Sequence, residues 1–325
     1  MPITDRFAAL SNDPVAEEAA QDYLLAGGSA LGGVLSGFFA AAGGHAGVLL
    51  SPMSLLVGGV GAGVRAFDGR VRQPGVGAKR PRGFTAKESI PDAARVAVPT
   101  AVAAALVALA YDGTQKLGSV LKAGIQRAQR GGAPERAALL RRIRSVGAGA
   151  MSELSFVRAV LRVAGPSEGG LLTAGDFGSI GDVDHPASER VVGGATVLEV
   201  PWAQDDRGLP GGSDIGLGCC VLAADVRGLF AGMAYRRVTH GFVIEDVELE
   251  APLSAVPVQR GVARSAPGTQ LPAPAPLAMR RDGEGNVVEM VACPLSSRLD
   301  EQAWRAPALR LMRDPIRQIV EATRA

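Results

Sequence analysis

Two periods run through the apolar positions of the chain. Pro14 to about Ala42 is rich in Ala and other small residues, which predicts one helix packed tightly inside the protein. His45 to Phe67 reads as one or two buried strands, in which Gly58, Gly59, Gly61 and Gly63 let neighbouring backbone come near. A basic, Gly/Pro-rich connection follows over 70–91, with Lys79, Arg80 and Arg82 in it. Pro99 suits the first turn of an apolar helix over Ala101 to Tyr111, and further helices are expected over 115–130, 133–146 and 152–163. After a loop-like stretch at 168–184 the period shortens. Val191 to Val200 reads as a strand, 204–214 as a Gly/Pro/Asp loop, and 215–224, 229–235 and 242–249 as strands of one antiparallel sheet. Residues 251–277 are rich in Pro and Ala, and Val287 to Cys293 is another strand. Asp314 is a good cap with Pro315 behind it, which predicts a terminal helix to Thr323. Helices mixed with antiparallel hairpins predict an α+β fold, a four-layer αββα sandwich. One compact domain is expected, with 1–203 and 215–325 as its two regions and 204–214 as the loop between them.

Composition narrows the function classes. The chain has 325 residues, of which 47% are hydrophobic and only 4% aromatic, so it can bury a large core. Its 34 Lys+Arg against 32 Asp+Glu leave a net charge of +2. That balance argues against a nucleic-acid binder, and sparse aromatics argue against base stacking. Three cysteines, two of them adjacent, make a poor disulfide framework and favour a reducing, cytoplasmic setting. The three histidines are scattered, so no metal or other cofactor is expected. Tyr23 to Val64 holds no Asp, Glu, Lys or Arg, long enough for a membrane span. Gly-Gly pairs and Pro52 interrupt it, and basic flanks are missing, so a buried helix and strands are the preferred reading.

Candidate chemistry is sparse. Cys219 and Cys220 lie mid-strand, where successive side chains face opposite ways, and the plain reading is a pair of small buried hydrophobes. Thr239-His240 reads as a hairpin turn. Ser213 follows Gly211-Gly212, which suits an ordinary turn and equally a residue that becomes a new N-terminus. Arg70, Arg72, Lys79, Arg80 and Arg82 form the main charged cluster, either a solvated basic loop or an anion site in which a guanidinium grips a carboxylate by two parallel bonds.

Several patches, in order, resemble the gamma-glutamyltransferase family of N-terminal-nucleophile hydrolases. They are Gly27-Gly28-Ser29-Ala30; Pro52-Met53-Ser54 with Gly58-Gly59-Val60-Gly61 and Phe67-Asp68-Gly69-Arg70; Val96-Ala97-Val98-Pro99; and Gly169-Gly170-Leu171-Leu172-Thr173-Ala174-Gly175-Asp176-Phe177. Cys220-Val221-Leu222-Ala223-Ala224-Asp225 resembles the first strand of the family's small subunit, and Cys293-Pro294-Leu295-Ser296-Ser297-Arg298 its Ser-Pro-Gly-Gly-Ser-Arg. The resemblance implies an amide hydrolase or acyltransferase fold that frees a Thr by self-cleavage. It also implies that Arg70 holds the substrate carboxylate, with Ser297 as a second substrate-binding residue. Counting back from Asp225 places Gly218 where the family has its nucleophile. Cys219 is one residue off and Ser213 five off. Leu295 and Ser296 stand at the oxyanion glycines, where Leu295 is expected to crowd the site, and Val71 replaces a Glu.

With two catalytic parts missing, the preferred expectation is a degenerate homologue that binds a γ-glutamyl or other carboxylate ligand, or assembles with itself or an active paralogue. The alternative is an active enzyme with Cys219 or Ser213 as a shifted nucleophile. A third reading is membrane association through residues 23–64.

Overall fold

In the computed structural model, the described residues are 3–59, 61–78, 83–85, 88–178, 181–192, 194–203, 216–259, 264–273, 275–296, 298–314 and 316–325. Strands β1 (Ile3–Asp5) and β2 (Ala8–Ser11) precede the first helix. The helix expected over 14–42 is two helices. α1 (Pro14–Leu25) starts where the Asp13 side chain accepts from Val15 N–H, and Gly27, at φ +83°, turns the chain out of it. The Ser29 hydroxyl then accepts from Gly32 N–H and opens α2 (Ala30–Gly44).

β3 (Met53–Gly59) and β4 (Ala62–Gly69) form the expected buried hairpin. Helices α3 (Ala101–Asp112), α4 (Leu117–Arg130), α5 (Pro134–Val146) and α6 (Leu154–Ala164) follow, with Thr100 rather than Pro99 at the start of α3. The single strand expected at 191–200 is a hairpin, β7 (Ser188–Val192) and β8 (Ala195–Glu199), turned at Gly194 with φ +83°. Ahead of it lies β6 (Asp184–Pro186); β5 (Gly83–Phe84) is a short outlying strand.

β9 (Leu217–Ala224) and β10 (Leu229–Arg237) are the long strands of the C-terminal third. β11 (Phe242–Ile244) and β12 (Leu249–Ala251) pair only with each other, away from the sheet expected to include them. The remaining elements are β13 (Val258–Gln259), β14 (Leu277–Arg281), β15 (Val287–Ala292), α7 (Glu301–Arg305), β16 (Leu309–Asp314) and β17 (Ile319–Arg324).

The expected terminal helix is therefore wrong. Asp314 does accept from the N–H groups of Ile316 and Arg317, as a cap would, but the chain reverses at Gln318 (φ +55°) and returns as a strand. Val320 and Ala322 alternate inward there, a period of two that buries them against the sandwich core.

Two antiparallel sheets carry the fold. One has seven strands in the order β1-β17-β16-β15-β14-β8-β7, the other six in the order β2-β9-β10-β3-β4-β6. In the six-stranded sheet β9 and β10 sit between β2 and β3, so the two halves of the sequence are interleaved. Between the sheets lie Leu56, Cys220, Leu222 and Phe230 from one and Leu277, Met279, Met290 and Leu311 from the other. The other face of the six-stranded sheet is covered by the helices, chiefly α2 through Leu31, Leu35, Phe38 and Phe39. On the outer face of the seven-stranded sheet, Trp304 of α7 packs with Val197, Ala278 and Val291. The layers are α, β, β and α, the last reduced to one short helix.

Helix α2 crosses α4 backbone on backbone: a Cβ at Gly43 would lie 2.1 Å from Gly124 O. This close packing accounts for the charge-free stretch 23–64. It is an internal helix and hairpin, and among the described residues no helix is long and apolar enough to cross a membrane.

Candidate active site

Strand register fixes where each candidate lies. Gly218 pairs with Arg236, Cys219 with Tyr235 and Cys220 with Ala234. Tyr235 pairs in turn with Met53, and Ala234 with Ser54. Ser54 pairs with Asp68, and Met53 with Gly69. Alternation then sorts the side chains by face. Cys219, Tyr235 and Met53 belong to the helix-side core, whereas Cys220 and Ala234 belong to the core between the sheets. Gly218, Arg236 and Asp68 share the inter-sheet face. Arg70, just past the end of β4, turns onto that face too, because its guanidinium clasps Asp68 and lies over Trp202 of the inter-sheet core. Gly218 and Arg70 are three strands apart, about 14 Å at ~4.8 Å per strand.

Arg70 is held on several sides. Its Nε and Nη2 donate to the two oxygens of Asp68 at 3.0 and 2.8 Å, and its Cζ stands 4.8 Å from the centre of the Trp202 ring. The Trp202 indole N–H donates to Ser54 Oγ at 2.9 Å, and the Thr100 hydroxyl donates to the Arg70 carbonyl at 2.6 Å. Arg72 adds a second guanidinium. Burial pulls its pKa down, with Asp68 raising it and Arg70 lowering it further.

The start of β9 is closely packed. Asn12 grips it by donating to the Gly218 carbonyl and accepting from Cys220 N–H, both at 2.8 Å. Gly218 faces the carbonyl of Pro294: a Cβ there would sit 1.9 Å from that oxygen. The cavity between Pro52, Gly218, Cys219, Tyr235, Arg236 and Pro294 measures about 10 Å3, the space of one water at most. Arg236 crosses it and donates to the Gly216 carbonyl at 3.2 Å, and burial lowers its pKa.

Cys219 is 1% exposed beneath the helices, and burial, with Asp13 adding to it, pushes its thiol up to about 12. Cys220 is wholly buried, and its thiol is raised well above the ordinary value, again chiefly by burial. At neutral pH both are thiols, and the thiolate is the nucleophilic form. Next to Cys219, Tyr235 donates its hydroxyl to Asp13 at 3.1 Å.

The 293–296 segment departs from expectation. Leu295 does not crowd the site; it is 85% exposed and points to solvent. The Pro294 carbonyl fills the space instead. Ser296 N–H donates to Cys293 O at 2.9 Å, which closes the 293–296 segment into a turn. Val71 is buried in a small apolar cluster with Ala97, Ala255 and Leu271.

The structure thus brings Arg70, Arg72, Asp68, Trp202 and Arg236 to the same end of the six-stranded sheet. It puts Cys219 on the opposite face. Ser213, Ser297, Lys79, Arg80 and Arg82 lie outside the described residues. Thr239 and His240 are in an exposed turn after β10. Asn12, Tyr235 and Arg236 were not singled out by the sequence. Only the rarity of tryptophan, with two in the chain, marks Trp202. Among the described residues no cluster of His, Cys, Asp and Glu could hold a metal ion.

No family model matches this sequence, and no curated protein matches it either. Solved structures do. LmbA2991HD is 14% identical with a TM-score of 0.75, over 100% of this chain and 97% of that one. Cephalosporin acylase from Bacillus halodurans is 12% identical with a TM-score of 0.71, over 100% and 95%. Gamma-glutamyltranspeptidase from Helicobacter pylori is 20% identical with a TM-score of 0.51, over 60% of this chain and 70% of that one. The sandwich of this chain is therefore the N-terminal-nucleophile-hydrolase fold that these acylase and transpeptidase structures share.

Proposed function

We propose that this chain is a non-catalytic homologue of the γ-glutamyl-type amide hydrolases that binds a carboxylate ligand at Arg70. One observation carries the reading. The inter-sheet position at the start of β9 is Gly218, and the Pro294 carbonyl occupies the volume that a Thr, Ser or Cys side chain would need. Hydrolases that work through a chain-terminal hydroxyl need that side chain and a water-accessible carbonyl beside it, and a cavity of about 10 Å3 admits neither substrate nor nucleophile. Cys219 does not replace it, because it faces away from Arg70 and its thiol is held protonated. The anion-binding side is better kept. Asp68 aligns the Arg70 guanidinium, Trp202 supports its face, and Arg72 adds positive charge alongside. A partner or an active paralogue is a further role that such a binding protein can serve.

Intact-mass spectrometry of freshly purified protein tests the reading. One species at the mass of all 325 residues is expected, stable over days at neutral pH. Two polypeptides, the second beginning at Ser213 or Cys219 with a free amine, overturn it.

A further inference from the structure

A second cavity, of about 480 Å3, lies in the helical layer. Its floor is α2, one wall is α1 and the other α4. Ala19, Asp22 and Tyr23 face it from α1, with Ala26 just past its end; Ser119, Lys122 and Gln126 face it from α4. Those spacings put each set on one side of its helix. Two side-chain contacts join the stretches on either side of the groove. The Tyr23 hydroxyl donates to Gln115 Oε1 at 2.7 Å at one end, and Arg127 pairs with Glu18 at the other. Glycines shape the wall: a Cβ at Gly28 or Gly32 would meet the Tyr23 ring at 2.2 or 2.4 Å, so only glycine lets the ring lie flat across the start of α2. The Gly27-Gly28 pair singled out in the sequence therefore belongs to this groove.

Two features of the cavity suit a polar occupant. Ser36, on its floor, is 3% exposed, and its hydroxyl, which makes no hydrogen bond within the protein, opens into the cavity. Above it, the exposed Asp22 and Lys122 carry opposite charges on opposite walls, and neither has an ion-pair partner among the described residues. The volume is in the range of small-molecule sites.

We propose that this groove binds a small zwitterion, an amino acid or short peptide. Asp22 takes its ammonium, Lys122 its carboxylate, and the Ser36 hydroxyl a polar group between them. The site is separate from the Arg70 end of the sandwich and does not depend on the reading given for it.

Calorimetric titration with triglycine tests this, alongside N-acetyltriglycine and triglycinamide, which each lack one terminal charge. Triglycine is expected to bind, and each blocked form to bind ~10-fold more weakly or less, the effect of losing one charge-assisted contact. Asp22→Asn is expected to erase the preference for a free amine, and Lys122→Gln the preference for a free carboxylate. Ser36→Ala weakens triglycine about fivefold with an unchanged melting temperature, the share of one neutral hydrogen bond. Absence of heat with triglycine at roughly 10 mM, or equal binding of all three peptides, overturns the proposal. Arg70→Ala leaves this binding intact, so failure here is distinct from failure at the other site.

Discussion

Gly218→Ala asks whether the start of β9 is as full as its geometry says. The added Cβ would lie 1.9 Å from Pro294 O, against the 3.4–4 Å of ordinary contact, so strand and turn must part by about 1.5 Å. Both are tethered. Asn12 holds β9 through two 2.8 Å bonds, and the Pro294 turn is closed by bonds of 2.9 Å from Cys293 N–H to Pro276 O and from Ser296 N–H to Cys293 O. Overpacking of this kind costs about 1–3 kcal/mol, and a displaced hydrogen bond adds ~0.5–1.5 kcal/mol. Loss of glycine's freedom in the unfolded chain returns about 0.4–1 kcal/mol. The net loss is about 0.5–4 kcal/mol, centred near 2 kcal/mol. At ~2.1 cal/mol/K per residue over 325 residues, that lowers the melting temperature by roughly 1–6 °C, centred near 3 °C. Calorimetry or circular dichroism reads this directly. Gly283→Ala is the control, since nothing lies within 4 Å of its added Cβ, and it is expected to melt like the parent. If Gly218→Ala melts no lower than the parent, the Pro294 carbonyl does not fill that space, and the argument against a nucleophile there fails.

Two further outcomes follow from the same region. With its thiol pushed up to about 12, Cys219 is ~1 part in 10,000 thiolate at pH 8, so native protein should label with iodoacetamide orders of magnitude more slowly than urea-unfolded protein, as peptide mass mapping will report. The same raised value makes burial of the neutral thiol a stabilising contribution that is full below the unfolded thiol's ~8.5 and is lost as pH climbs toward 12; Cys219→Ala should flatten stability over that alkaline window, and an unchanged profile counts against the burial argument. Arg70→Ala leaves Asp68, 3% exposed, without its paired charge, and should cost about 3 kcal/mol, shift the fluorescence of Trp202 and abolish any calorimetric binding of L-glutamate; glutamate binding that survives the change refutes the assignment of Arg70.

The sandwich was legible where side chains obey one period. β9 and β10 alternate cleanly, and Val221 and Leu222 go to opposite cores as alternation requires. It was less legible where one signal serves two structures. Gly27-Gly28-Ser29 holds a left-handed exit and a serine start, yet its apolar flanks read as one continuous helix. Asp314-Pro315 fits a helix start and a turn equally well. Ile316, Ile319 and Val320 even keep helical spacing, but pairing of β17 with β1 and β16 decides for strand and leaves Ile316 91% exposed. The position of Arg70 came from a motif and the structure gives it partners. The Pro294 contact had no sequence signal at all, because a backbone carbonyl is the same whatever residue carries it.

The resemblance counts two absences, a nucleophile at 218 and a glycine pair at 295–296, as separate losses. The geometry joins them. Once position 218 lacks a side chain, the 293–296 turn can settle onto β9 with Pro294 O against Gly218, and in that turn Leu295 swings into solvent while Ser296 N–H is spent on Cys293 O. An N–H engaged inside a turn does not stabilise an oxyanion. On the proposed non-catalytic reading the two departures are one packing arrangement, and a hydroxyl placed at 218 alone would push against the Pro294 carbonyl. Arg70 stands about 14 Å away across β10 and β3, outside that contact, so the anion site proposed there does not depend on it.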